Sequence, residues 1–139
     1  MRTLMILFSI VIMVSCSDNF DHLTENDLIG HWDIYQFEVE GDLKTYQTVY
    51  HNGPKYLLFR EKDFFSSTYC IGSWNLLKEK LFLEGYCIGL RNYTILDYQD
   101  DILVMESVVK NEGLYQEVGN LFGIETGEEF TLKEYYSRN

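Results

Sequence analysis

The sequence predicts an all-β fold, a single small antiparallel up-and-down barrel of about eight strands, and three observations carry that expectation. The chain of 139 residues is about one domain long. Its 22 aromatics (two Trp, eleven Tyr, nine Phe) stand beside one proline and no alanine, a balance that favours strands over helices. From Asp27 onward, short β-rich runs alternate with turn residues, without sustained helical periodicity and without a repeat of about 20 to 50 residues.

In chain order, residues 1–15 read as an export signal: a charged Arg2, the apolar run from Leu4 to Val14, then the small Ser15 before Cys16. As a helix that run spans only about 16 Å, short of the ~20 residues a bilayer crossing needs, so it is not read as a permanent anchor. Residues 16–26 are polar and acidic and read as a tether, and 27–139 as the folded domain. Strands are expected at 30–40, 44–50, 55–60, 64–77, 80–87, 92–98, 101–109 and 128–136. Asn52-Gly53 favours the left-handed backbone of a tight hairpin, and Gln99-Asp100-Asp101 marks a second sharp reversal, so sequential neighbours should pair antiparallel. Closing the sheet on itself would protect its edges.

One register can be counted. A two-residue turn at Lys78-Glu79 pairs Leu77 with Lys80, and counting outward sets Leu76 against Leu81, Trp74 against Leu83, Gly72 against Gly85 and Cys70 against Cys87. Cys70, Trp74, Leu76, Leu81, Leu83 and Cys87 then share one face, with Ser73 and Glu84 on the other. Directly opposed residues lie within disulfide reach, so Cys70–Cys87 is the expected bridge in an exported protein. The alternatives are two reduced buried cysteines, or a register two residues away, because Lys78-Glu79 lacks the usual Gly or Asn.

The net charge of −11 argues against a nucleic-acid partner, whose phosphates need a basic surface. The three histidines, His22, His31 and His51, are scattered, and neither His-Glu-x-x-His nor Cys-x-x-Cys spacing is present, so no metal site and no cofactor is expected. No Gly-x-Ser-x-Gly elbow marks a nucleophile. The pairs Asp100-Asp101 and Glu128-Glu129 fall at turns or strand starts, where solvation is the ordinary role. No enzymatic activity and no catalytic residue is expected. Tyr35, Tyr46, Tyr50, Tyr69 and Tyr86 either line a cup or, by the favoured reading, decorate the outer face. The segment 110–127 holds Gly113, Gly119, Gly123 and Gly127 among apolar residues, and reads either as a mobile lid or as cover for one barrel end.

Two stretches resemble known families. Val14-Ser15-Cys16-Ser17 resembles the lipobox of bacterial lipoproteins, which implies cleavage before Cys16 and acylation of that cysteine, hence a lipid-anchored, membrane-tethered protein of the cell envelope. The acidic residues 17–22 resemble the tract that directs some lipoproteins to the outer face of the outer membrane, though a plain solvated linker reads as well. Leu28-Ile29-Gly30-His31-Trp32, Gly72-Ser73-Trp74-Asn75-Leu76 and Tyr93-Thr94-Ile95 before Asp101-Ile102-Leu103 together resemble the lipocalin-like domain of bacterial lipoproteins. That resemblance implies that Trp32 closes one barrel end, with Gly30 allowing the chain's approach. The segment 110–127 is longer than the terse turn the resemblance would lead one to expect.

The function expected is binding of a small apolar or amphipathic ligand, entering at the end away from Trp32, with 110–127 at the entrance and Trp74, Tyr115 and Phe122 among the contacts. The alternative is an interaction module whose filled barrel engages an envelope protein. An apolar pocket of several hundred Å³ would favour the first, and a solid core the second.

Overall fold

The computed structural model describes residues 23–49, 56–62, 64–67 and 70–139. The leader, Cys16, His22, Tyr50, His51, the Asn52-Gly53 turn and Tyr69 lie outside the described residues.

A short helix α1 (Glu25–Leu28) precedes nine strands: β1 (Gly30–Val39), β2 (Asp42–Thr45), β3 (Tyr56–Arg60), β4 (Phe64–Ser67), β5 (Ile71–Leu77), β6 (Lys80–Gly85), β7 (Gly89–Gln99), β8 (Ile102–Lys110) and β9 (Glu129–Arg138). Helix α2 (Tyr46–Val49) follows β2, and a 3₁₀ turn (Gly113–Tyr115) with helix α3 (Gln116–Leu121) joins β8 to β9. Every pairing is antiparallel, and β1 also pairs with β9. Strands β1 and β3 to β9 thus close an eight-stranded barrel, as the aromatic-rich, alternating sequence implies.

Strands β2 and β3 do not form the hairpin expected between 44–50 and 55–60. Both lie on the same edge of β1, with Thr45 opposite Gln36 and Tyr56 opposite Asp33. They occupy one barrel-strand position beside β1, with residues 46–55 between them in sequence. The strand expected over 44–50 gives way to α2 at Tyr46, whose ring stacks on Phe37 at 6.3 Å. A tertiary contact overrides the β preference of that segment. The strand expected over 64–77 divides into β4 and β5, because the chain reverses where the Ser67 amide donates to the Cys70 carbonyl at 2.7 Å.

The hairpin of β5 and β6 has the counted register, from Leu77–Lys80 to Gly72–Gly85, and Cys70 and Cys87 are disulfide-bonded with Cα atoms 5.7 Å apart. Lys78 takes the left-handed conformation that its turn requires, at φ 54°. Asp100 does the same at φ 49° in the β7–β8 turn.

Bulges at Tyr35 and Leu96 shift the inward phase of β1 and β7. On β1 the buried residues are Trp32 and Ile34 before the bulge, then Phe37 and Val39. The even-numbered residues Phe130 to Tyr136 of β9 are buried.

Strand directions define two ends. At one lie the start of β1, the Lys78-Glu79 and Asp100-Asp101 turns and α1. At the other lie the end of β1, the Cys70–Cys87 bridge and the segment from Asn111 to Glu128. That segment is an ordered cover: Val118 is wholly buried in the core, and Asn111, also buried, donates from Nδ2 to Asn120 Oδ1 at 3.0 Å and to the Ile124 carbonyl at 2.7 Å.

Candidate functional site

The Trp32 end is closed by hydrogen bonds as well as by packing. Trp32 Nε1 donates to the Leu28 carbonyl at 2.8 Å, and the Arg138 guanidinium lies 4.4 Å over the indole. Arg138 also donates to the carbonyls of Asp27 and Ile29, and Tyr98 donates to that of Asp27. These bonds hold α1 across the end and satisfy backbone acceptors that a short helix leaves open. The arrangement closes this end of the barrel around the buried Trp32.

Toward that opposite end the barrel holds a cavity of about 70 Å³. Tyr56, Leu57, Phe65 and Leu83 form its apolar side, the Cys70–Cys87 bridge and Ile88 its rim, and Leu114 and Tyr115 its cover. Tyr93, Glu134 and Tyr136 form its polar wall. Each is inward by parity: Tyr93 stands opposite Leu81, and Glu134 is flanked by Phe37 and Met105.

Glu134 is the anomaly of this interior. It is 5% exposed, a position where an ionised carboxylate loses most of its hydration. Tyr136 donates to its Oε1 at 3.2 Å, whereas its Oε2 has no partner among the described residues. Burial pushes its carboxyl up to about 7, against the Tyr136 hydrogen bond and the attraction of Arg91, which pull the other way. Burial also raises Tyr93 well above the ordinary phenol range and Tyr115 to about 12, and the two hydroxyls are hydrogen-bonded. Arg91 stacks on the Tyr115 ring at 4.7 Å, and its Nε is buried without a partner among the described residues.

Glu38, on the outer face, has the opposite surroundings. There Tyr135 donates to Oε2 and Lys133 to Oε1 at 3.2 Å, and these bonds hold the carboxyl below its ordinary value. One glutamate has its partners supplied by the neighbouring strand; the other faces a space.

Of the residues expected at the site, Tyr115 lines the cavity. Trp74 lies outside the lining, packed on Phe59 with ring centroids 5.0 Å apart and donating from Nε1 to the Arg60 carbonyl at 3.2 Å. Phe122 sits on the cover beneath Lys44, whose ammonium is 5.2 Å from the ring centroid. Tyr35 and Tyr86 are exposed, and Tyr46 is half-buried against Phe37. His31 Nε2 lies 2.9 Å from Asp33 Oδ1, and among the described residues no three His, Cys, Asp or Glu side chains gather where they could hold a metal ion. Sequence reasoning missed Glu134, Tyr93, Tyr136 and Arg91. The signal for Glu134 was its phase, since Phe130, Leu132, Glu134 and Tyr136 alternate in one series and a charge within an inward series marks a site.

No protein-family model matches the chain, and no curated protein is similar enough to count as a relative. The geometry therefore carries the functional reading.

Proposed function

We propose that the protein is a lipid-anchored, lipocalin-like lipoprotein of the bacterial cell envelope that binds a small amphipathic molecule at the barrel end away from Trp32. The observation that carries this reading is Glu134 Oε2, a buried acceptor facing the cavity with no partner among the described residues. Natural proteins rarely leave such a group unsatisfied, and a ligand that donates to it removes the cost. The cavity is well below the ~300 Å³ at which ordinary ligand pockets begin. It therefore encloses only a ligand's polar head, while the apolar body runs out past Ile88 and Leu114.

The anchor rests on the lipobox-like Val14-Ser15-Cys16, with acylation of Cys16 and placement in the outer membrane as parts of the same proposal. Replacing Cys16 with Ala should release the protein from the membrane fraction. An unlipidated intact mass for the wild type would refute the anchor.

A second reading, an interaction module engaging an envelope protein, is favoured by the small cavity: most of the barrel is filled by its own side chains. Native mass spectrometry of protein purified from its own membrane separates the two. The binding reading predicts a co-purifying small molecule that is lost on Leu114→Trp, which fills the mouth. A protein chain retained equally by wild type and Leu114→Trp would support the module.

A further inference from the structure

We propose that the head group bound in the cup is a protonated amine, held by the Glu134 carboxylate among aromatic rings; the inference rests on the binding reading above. Three independent features point to a cation. Glu134 Oε2 is buried and open toward the cavity, and a neutral donor would satisfy its lone pair without offsetting its charge, whereas an ammonium does both. Phe65, Tyr93 and Tyr136 line the same space, and aromatic rings attract cations through their negative faces. The chain carries a net charge of −11, a field that gathers cations and repels anions from the mouth.

The protein's own cation does not fill this role. Arg91 lays its guanidinium on the Tyr115 ring and makes no ion pair with Glu134 among the described residues. The other side chains facing Glu134 are the phenols of Tyr93, Tyr115 and Tyr136 and the apolar Phe37 and Met105. A cavity of about 70 Å³ is small for a ligand site, which suits a compact primary ammonium better than a bulky quaternary head.

The test uses the full-length protein in lipid nanodiscs at about pH 8. Isobutylamine, isobutanol and isobutyrate are titrated while backbone amide shifts are followed at Leu83, Tyr93 and Glu134. Isobutylamine should bind at least about tenfold more tightly than isobutanol, the usual margin for a charged over a neutral hydrogen bond. Glu134→Gln should abolish that preference while keeping the wild-type circular dichroism spectrum. Equal affinity for amine and alcohol, or a preference that survives Glu134→Gln, overturns the cation inference and leaves the binding reading standing. Tighter binding of isobutyrate, lost on Arg91→Gln, also overturns it and moves the polar contact to Arg91. No cup-centred shift with any of the three overturns both readings.

Discussion

Arg138 stacks its guanidinium 4.4 Å over the indole of Trp32, so that the last inward residue of β9 closes the barrel end that opens β1. Trp32 is wholly buried, and truncating a buried tryptophan costs about 3 to 5 kcal/mol. Trp32→Ala should lower the urea-unfolding free energy by that amount. Arg138→Met keeps the bulk but removes donors from the Asp27 and Ile29 carbonyls; about 2 kcal/mol should be lost, with faster amide exchange confined to α1. A cost below about 1 kcal/mol for Trp32→Ala would contradict the role given to this end.

The Cys70–Cys87 bridge ties the start of β5 to the loop after β6, across 17 residues of sequence. In the chain-entropy model, closing a loop of that length stabilises the fold by about 3 kcal/mol. The double variant Cys70→Ser/Cys87→Ser should be less stable by that order. Thiol titration of the unreduced, denatured protein should find neither cysteine free; two reactive thiols would reject the bridge.

Glu134 makes stability depend on pH in a particular direction. Below about pH 4.5 the folded and unfolded chains both hold its proton, and the group contributes nothing. Between there and about 7, the unfolded chain releases the proton and the folded chain keeps it, so stability falls as pH rises. By about pH 8 the accumulated cost is on the order of 3 kcal/mol. Glu134→Gln should match wild type near pH 4 and become more stable than it through this window, by up to that amount. A difference between the two proteins that does not change with pH would contradict the burial argument.

The segment from Asn111 to Glu128 should behave as core. A β-carbon at Gly119 would lie 2.3 Å from Asn111 Cγ, so Gly119→Ala must displace Asn111 and its bonds to Asn120 and Ile124. A loss of about 1 to 3 kcal/mol follows from leaving those groups unsatisfied. Replacing 111–127 by a tight turn also removes the buried Val118 and should lower the thermal transition clearly. An unchanged transition would return the segment to the role of a mobile lid.

What was legible in the sequence was the alternation and the short turns. Trp74, Leu76, Leu81 and Leu83 fall in phase around two residues, so the β5–β6 register followed even though Lys78 takes its left-handed conformation without being Gly or Asn. What was not legible depended on partners distant in sequence. Tyr46 leaves the strand conformation where its ring stacks on Phe37, and β2 and β3 lie along one edge of β1 with residues 46–55 between them in sequence. Tyr115 lines the cavity, whereas Trp74 packs on Phe59. Glu134 carries no motif that singles it out in the sequence, although its alternation with Leu132 and Tyr136 already places it inside.

The state of the Glu134 carboxyl tests the account most directly, because a buried acceptor facing the cup carries both the binding reading and the choice of head group. With side-chain carboxyl carbons labelled with carbon-13, the Glu134 resonance can be followed from about pH 3 to 10 in the folded, ligand-free protein. Its midpoint should lie near 7, far from that of Glu38, which should titrate below the ordinary carboxylate value. A Glu134 midpoint at or below about 4.5 would mean a carboxylate already hydrated or ion-paired, and would contradict the cup as described.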